Sequence, residues 1–182
     1  MPAVSLRLTA GIVGFGWCSK PMADGALTLH GILRDGLRVA AQFTELPWVR
    51  EQFHRKLGLD VYPGTVNLQV QDPAGLAALA RLRAAGAAPD GALRAVPIDP
   101  PEGGAYCVGW CFPAHVGALP AAIVVPHVAD YPPDKLELIA AVRLRDALGL
   151  APGDRVAVTL DSPAPDDPPA ADGGGRRQEA GG

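Results

Sequence analysis

The apolar residues of this chain fall into many short runs, and most of these runs alternate with polar residues. Alternation with a period of two is typical of β-strands that bury one face. Helical spacing is confined to a few segments, and helices and strands do not alternate as they would in a doubly wound parallel sheet. We therefore predict a mainly β fold with peripheral helices, in which the strands close, or nearly close, a small barrel.

Two helices are marked by residues that suit their ends. A helix over residues 47–57 begins with Pro47, and Gly58 follows its last turn. A second helix is capped by Asp72 and stops at Gly86. The other predicted elements are a hairpin around Asp35-Gly36 with strands over 27–30 and 37–43, further strands over 62–70, 122–125, 136–140 and 155–160, and a short helix over 142–148.

Composition divides the chain into three segments. Residues 1–26 have no clear pattern beyond a loose alternation within 6–15, so we expect a partly ordered N-terminal extension. Residues 27–160 form the predicted barrel domain. Residues 161–182 contain no large apolar side chain and carry the whole net charge of −3, which predicts a disordered acidic tail.

Charge, cysteine content and hydropathy argue against several classes of protein. The body of the chain is neutral, so we expect no nucleic-acid partner that binds through a basic surface. The 3 cysteines, Cys18, Cys107 and Cys111, are an odd number, which argues against a complete disulfide framework. The first residues do not resemble a signal peptide, and no apolar run approaches the ~20 residues of a membrane span. We expect a cytoplasmic protein without a membrane segment.

Common catalytic motifs are missing, because the sequence has neither a P-loop nor a nucleophile elbow. Cys107 and Cys111, together with His115 and His127, allow a zinc site as one interpretation. Two buried structural cysteines on paired strands are the other interpretation, and the lack of a recognisable ligand spacing favours it.

Residues 57–68 contain the most informative local pattern. A helix ends at Gly58, a tight turn follows at Pro63-Gly64, and Thr65 and Asn67 come next, two residues apart on a strand. Their side chains therefore share one face. Two neutral oxygen donors beside such a turn suit a hydrated Mg²⁺ that bridges phosphates, since Mg²⁺ keeps several waters and needs few protein ligands. The same residues also suit a simple stabilised turn, and spacing alone favours that interpretation.

Glu137 lies inside an apolar strand, where a carboxylate must either face solvent or meet a partner. Arg143 and Arg145 follow closely and are suited to phosphate. The alternative is an outward-facing residue on an alternating strand, followed by a solvated helix face.

Two long blocks of sequence carry a resemblance to a known family. They read LGLDVYPGTVNLQV and AIVVPHVADYPPDKLELIAAVRLRDALGLAPGDRVAVTL. They closely resemble the archaeal-type, CTP-dependent riboflavin kinase family, whose patterns are LGF-x-PYPGTLN and P-x-RTHY…LEIIAP-x-x-LR, and the resemblance runs from about Leu29 to Leu160. It implies a small cradle-loop, swapped-hairpin-like β-barrel. It also implies transfer of the γ-phosphate of CTP to the 5′-hydroxyl of riboflavin, which gives FMN and CDP.

The resemblance also implies roles for individual residues. Thr65 and Asn67 match the family's ligands for Mg²⁺, which is the implied cofactor. Glu137 matches a carboxylate that contacts the flavin, and with Asn67 it forms the implied catalytic pair. Ala129 matches a second flavin contact. The implied nucleotide-binding residues are Gly36, Leu37, Arg38, Val39, Ala40, Ala41, Val142, Arg143, Leu144 and Arg145.

Two departures from the family pattern bear on activity. Arg38 and Ala40 replace two glycines of a glycine-rich loop, and neither residue lets the backbone approach phosphate as closely as glycine does. Ala129 replaces a threonine, so one hydroxyl is lost. The leading hypothesis is an active, monomeric CTP-dependent riboflavin kinase. The alternative is a non-catalytic or divergent flavin- or nucleotide-binding member with an altered donor or acceptor. A DNA-binding protein on a related barrel is a third hypothesis, which the neutral body disfavours.

Overall fold

The computed structural model describes residues 27–36, 39–87, 93–103 and 106–161. The predicted N-terminal extension, with its loose alternation within 6–15, and nearly all of the predicted tail lie outside these residues. The division of the chain into an extension, a barrel domain and a tail therefore stays a prediction.

Seven strands and four helices make up the described part of the chain. The strands are β1 (Thr28–Arg34), β2 (Val66–Gln69), β3 (Val96–Ile98), β4 (Gly109–Val116), β5 (Leu119–Pro126), β6 (Lys135–Ala140) and β7 (Arg155–Leu160). The helices are α1 (Val39–Thr44), α2 (Pro47–Leu57), α3 (Pro73–Ala87) and α4 (Leu144–Leu148). Within the described residues, none of these helices has the length and hydropathy that a membrane crossing requires.

Six of the strands close into an antiparallel barrel. Their order is β4-β5-β6-β2-β1-β7, and β7 pairs back with β4. One edge of β4 is divided between two partners, because Gly109 to Cys111 pair with β3 whereas Ala114 and His115 pair with β7. Closure gives each of the six strands a neighbour on both sides. The predicted small, mainly β barrel with peripheral helices is confirmed.

Alternation along the strands builds an aliphatic interior. Leu29 and Leu33 on β1, Leu68 on β2 and Leu138 on β6 are almost completely buried and belong to one cluster. Leu82 of α3 joins the same cluster. Burying a side chain of this kind contributes roughly 1.5–3 kcal/mol relative to leaving it exposed. The interior is therefore the main source of stability in this fold.

A second apolar cluster lies on the outer face of β5 and β6. Val49 and Phe53 of α2 pack there with Ala122 and Ile139 of the strands. Ile139 follows Leu138 directly, and consecutive residues of a strand point to opposite faces. Strand β6 therefore faces the barrel interior with one residue and α2 with the next, so that α2 covers this part of the barrel.

The two longer helices begin where the sequence predicts, and α2 also ends there, whereas α3 continues through the predicted stop at Gly86 to Ala87. Pro47 opens α2, and Gly58 ends it with φ 66° while its N–H donates to the His54 carbonyl at 2.9 Å. Before α3, the Asp72 carboxylate accepts a hydrogen bond from the Gly75 N–H at 2.7 Å. Helix α4 begins later than predicted, at Leu144.

The predicted hairpin around Asp35-Gly36 is wrong. Strand β1 continues to Arg34, and residues 39–43 of the expected partner strand lie in α1 instead. Both edges of β1 are already paired, one with β2 and the other with β7, so no edge remains for a hairpin partner. Ala40 and Ala41 also favour a helix. The strand predicted over 62–70 is shorter than expected, since β2 covers only Val66–Gln69.

Strands β3 and β4 have no counterpart in the sequence prediction. Pro113 lies in the middle of β4, and an internal proline normally argues against a strand. The Pro113 carbonyl accepts a hydrogen bond from the Asp161 N–H at 3.0 Å, so its ring nitrogen faces the same edge. That edge is the one where pairing with β3 ends and pairing with β7 begins. Pro113 therefore lies between the two ladders on this edge rather than within either of them.

Candidate active site

Three neighbouring strands bring the predicted site residues into one row. Asn67 on β2 pairs with Arg34 on β1 and, on its other side, with Glu137 on β6. Directly opposed residues of antiparallel strands have Cβ atoms about 4.5–5.5 Å apart. The adjacent residues Leu68 and Leu138 point into the core, so the row lies on the outer face of the barrel. The register thus brings together the candidate metal ligand and the candidate catalytic carboxylate.

The row lies in an open cavity of about 760 Å³. Most of the predicted site residues line this cavity: Gly36, Ala40, Ala41, Thr65, Asn67, Glu137, Val142, Arg143, Leu144 and Arg145. Ala129, by contrast, lies in the exposed turn between β5 and β6, outside the lining of this cavity. Leu37 and Arg38 lie outside the described residues, as does the side chain of Val39. The two blocks of sequence therefore meet at one cavity.

Gly36 lies directly against the side chain of Asn67. A Cβ atom added at position 36 would overlap the Asn67 amide nitrogen. Glycine leaves room for the Asn67 side chain as it stands, and any larger residue would push that side chain aside. The Asn67 side chain thus gives a steric reason for glycine at position 36, which matches a glycine of the family's loop.

A buried threonine connects the candidate nucleotide segment to the turn before Thr65. The Thr44 side chain is 2% exposed. Its Oγ1 accepts a hydrogen bond from the Gly64 N–H at 2.8 Å and lies 3.1 Å from the Ala41 carbonyl, to which it donates. Gly64 itself has φ 106°, a conformation that suits glycine. One hydroxyl therefore holds α1 and the Pro63-Gly64 turn together.

Arg145 fastens the segment before α1 to α4. Its two terminal nitrogens both donate to Asp35 Oδ1 at 3.0 Å, and Nη2 also donates to the Arg34 carbonyl at 2.9 Å. Arg143 instead pairs with Asp146 on the exposed side of α4. Leu144, between the two arginines, is buried in the core. The two predicted phosphate-binding arginines are thus oriented by carboxylates of the chain itself.

Glu137 has a charged partner that sequence reasoning did not predict. Its side chain is 13% exposed, and its carboxylate contacts the Lys135 ammonium. The Lys135 nitrogen also lies 5.3 Å from the centre of the Tyr131 ring. The alternation along β6 places residues 135 and 137 on one face, and this signal was sufficient to find Lys135 from the sequence.

Tyr131 lies beside Lys135 and Glu137. Burial, and secondly the negative charge of Glu137, raise the pKa of the Tyr131 phenol well above its usual value. Its hydroxyl is buried and, within the described part of the chain, makes no well-formed hydrogen bond. The phenol therefore stays protonated, and its ring presents an uncharged face to Lys135.

Hydrogen bonds between side chains that line the cavity continue beside this row. Arg34 Nε donates to Gln69 Oε1 at 2.9 Å, and Gln69 Nε2 donates to Asp134 Oδ2 at 2.9 Å. Gln69 is paired with Lys135 across β2 and β6. The outer face of β1, β2 and β6 thus carries two rows of polar residues, and side chains of these rows are hydrogen-bonded to one another.

The donor set fits Mg²⁺ that shares its coordination with phosphate. Thr65 and Asn67 offer neutral oxygens, and Glu137 stands opposite Asn67. Among the described residues no group of three or more histidine, cysteine or acidic side chains could hold a metal by itself. A cation at this place would therefore depend on oxygens of a bound ligand and on water, which is how Mg²⁺ is commonly held in phosphoryl-transfer sites.

The cysteines do not support a zinc site. Cys111 is buried on β4, whereas Cys107 is exposed, and neither belongs to a metal-binding group of the described residues. The interpretation of two buried structural cysteines is therefore right for Cys111 and wrong for Cys107. Burial raises the pKa of the Cys111 thiol to about 12, which keeps it protonated and unreactive.

Comparison with known proteins shows the family. The model of the CTP-dep_RFKase family, described as "Domain of unknown function DUF120", matches residues 33–160. The chain belongs to this archaeal CTP-dependent riboflavin kinase family.

Curated relatives agree with the family match. A riboflavin kinase of Methanosarcina barkeri is 36% identical over 134 residues, which cover 74% of this chain and 56% of the relative. One of Methanocella arvoryzae is 35% identical over 147 residues, covering 80% and 62%. One of Methanosarcina mazei is 38% identical over 136 residues, covering 74% and 56%. The match thus takes in only a little over half the length of these relatives.

Proposed function

We propose that this protein is a CTP-dependent riboflavin kinase, which transfers the γ-phosphoryl group of CTP to the 5′-hydroxyl of riboflavin and gives FMN and CDP. The family and the names of its curated relatives support this proposal. The observation that carries it is the direct pairing of Asn67 with Glu137 across β2 and β6. This register sets a candidate metal ligand beside a candidate proton acceptor in one cavity.

In the proposed reaction the riboflavin 5′-oxygen forms a bond to the γ-phosphorus of CTP. The bond from that phosphorus to the β–γ bridging oxygen breaks, and CDP leaves with the oxygen. The hydroxyl proton passes to the carboxylate of Glu137, which is largely buried and already oriented by Lys135. Phosphoryl transfer depends mainly on positioning and charge neutralisation, so the role of this chain is chiefly to hold two substrates in line.

Mg²⁺ would be held by Thr65 and Asn67, and when bound it would neutralise charge on the phosphates. Gly36, which has no Cβ, leaves the room that the Asn67 side chain occupies. Thr65 follows the Pro63-Gly64 turn, which Thr44 fastens to α1.

The nucleotide would occupy the side of the cavity between α1 and α4. Gly36 to Ala41, which includes Leu37, Arg38 and Val39, would follow its phosphates, and the segment 142–145 would face them. Arg145 is paired with Asp35, which directly precedes Gly36. It would therefore position the segment 36–41 as well as supply positive charge to the phosphates. The flavin would occupy the opposite side, next to Glu137 and close to the turn of Ala129.

One observation favours the second candidate function, a flavin- or nucleotide-binding protein without kinase activity. Ala40, in the first turn of α1, lines the cavity at a position where the family pattern has a glycine. Its methyl group limits how closely a phosphate can approach the backbone there. Binding of flavin or nucleotide without turnover is the outcome expected in that case.

The proposed function is tested by incubating the full chain with riboflavin, Mg²⁺ and, separately, CTP, ATP, GTP and UTP, and by separating flavins by chromatography. FMN formed mainly with CTP supports the proposal. Asn67→Ala should abolish the product, whereas Gln71→Ala, an exposed amide outside the cavity, should retain it. A folded wild-type protein that makes no FMN with any of the four nucleotides would overturn the kinase. Retained flavin or nucleotide binding would then support the second candidate function.

A further inference from the structure

The Lys135 ammonium can contact Glu137 and a ligand in the cavity at the same time. It faces Gln69 across the β2–β6 pair and shares a strand face with Glu137. Its nitrogen contacts the Glu137 carboxylate, and about a third of its side chain remains exposed to the cavity. An ammonium has three donor hydrogens, so one hydrogen bond to Glu137 leaves two others.

The other basic residues of the cavity are engaged elsewhere. In the described part of the chain they are Arg34, which donates to Gln69, Arg143, which pairs with Asp146, and Arg145, which clamps Asp35. These three guanidinium groups belong to the β1 and α4 side. Lys135 is the cation on the Glu137 side, and it is held over the Tyr131 ring, which Arg83 also approaches to 5.5 Å.

The charge on this side of the cavity changes when a phosphoryl group arrives. Riboflavin is neutral, whereas a phosphate monoester carries between one and two negative charges near neutral pH. A phosphate placed beside the Glu137 carboxylate would meet a like charge, which is unfavourable in a partly buried site. An ammonium between the two anions offsets this repulsion, because it can donate to both.

We propose that Lys135 binds the phosphate of the flavin product and so lets the site hold a phosphorylated flavin next to Glu137. This inference rests on the proposed function, because it assumes that the transferred group reaches a hydroxyl beside Glu137. The ligand is a flavin phosphate monoester, and the same site without phosphate takes the neutral flavin. Lys135 is therefore a specificity-determining residue that separates the two.

The test compares the dissociation constants of FMN and riboflavin for the full chain without nucleotide, measured by flavin fluorescence. Lys135→Met keeps the length of the side chain and removes its charge. We expect FMN binding to weaken about tenfold more than riboflavin binding, as for loss of one charge-assisted hydrogen bond to the phosphate. Lys135→Arg should retain the preference for FMN, since guanidinium also binds phosphate.

Lys56→Met is the matched control, because Lys56 lies on α2 and pairs with Asp99 away from the cavity. It should leave both dissociation constants unchanged.

Unchanged relative affinity for FMN and riboflavin in Lys135→Met would overturn the inference, as would an equal loss in Lys56→Met. Wild-type protein that binds both flavins and a Lys135→Met variant with an unaltered ratio would contradict this inference alone. Wild-type protein that binds neither flavin would overturn the proposed function and this inference together. Retained riboflavin binding by each variant also shows that the variant is folded.

Discussion

The outer face of the barrel is used in two different ways, and strand β6 takes part in both. At Ile139 this face is covered by α2 and packed with apolar side chains. Two residues earlier, at Glu137, the same face is polar and open to a cavity. The covered region is held by burial, whereas the open region is held by cross-strand register and hydrogen bonds. The comparison shows that one strand of a small barrel can face a packed helix at one position and an open polar cavity two residues away.

The largest effect on stability is expected in the region that α2 covers. Phe53→Ala removes a fully buried ring from the α2 cluster and should lower the free energy of unfolding by about 3–5 kcal/mol. Urea unfolding measures this loss. Arg50→Ala, an exposed change in the same helix, should have little effect. Flavin binding per folded molecule should be unchanged in both variants. A selective loss of flavin binding in folded Phe53→Ala protein would show that the two regions are not separate.

Gly36→Ala tests the open side. The added methyl would overlap the Asn67 amide, so Asn67 or the backbone must move. A displacement of this kind at a reacting centre costs about 100-fold in rate. We expect FMN formation to fall by about that factor while the urea midpoint changes far less than in Phe53→Ala. Gly58→Ala, at a helix end where a Cβ meets nothing, is the control that strains the backbone without touching the site. Wild-type activity in Gly36→Ala would show that the site does not need glycine at position 36 to leave room for Asn67.

Much of the fold could be predicted from the sequence because the relevant signals are local. Pro47 and Gly58 mark the ends of α2, and the spacing of Thr65 and Asn67 already places both on one face. The pairing of Asn67 with Glu137 could not be read from local pattern, since register depends on how distant strands meet. The resemblance supplied both residues, and the sheet explains why they belong together.

The errors in the prediction have equally specific causes. Residues 37–43 alternate like a strand, yet β1 has no edge left to pair with them, and those from Val39 onward lie in α1. Strand β4 was missed because Pro113 is normally a strand breaker, and its position at the change of partner from β3 to β7 is a tertiary fact. Thr44 gives no signal at all in the sequence, because its importance comes from Gly64, which lies far along the chain.

Thr44→Val sharpens the comparison at the place where a buried side chain serves the open region. Valine keeps the shape of threonine but leaves the Gly64 N–H without its acceptor, a loss worth about 1–3 kcal/mol. Thermal or urea unfolding should show this decrease, and Thr44→Ser should restore most of it because serine keeps the hydroxyl. Equal stability of the serine and valine variants would show that the hydrogen bond contributes nothing.

The smallest effect is a difference in thiol reactivity. Cys111 belongs to the covered cluster, and burial raises its pKa to about 12, so almost none of it is thiolate at pH 8. Cys107 is exposed. Iodoacetamide at pH 8 followed by peptide mass mapping should modify Cys107 in the native protein and Cys111 only in urea. Native modification of Cys111 at the rate of Cys107 would mean that the cover opens readily.

The central claim is that the Asn67–Glu137 pair is the reaction centre, and Glu137→Gln tests it most directly. Glutamine keeps the size of the side chain and cannot accept the hydroxyl proton. The initial rate of FMN formation from riboflavin and CTP should fall on the order of 10²–10⁴-fold, while Glu51→Gln, an exposed change on α2, should keep the wild-type rate. A Glu137→Gln protein that forms FMN as fast as the wild type would contradict the account.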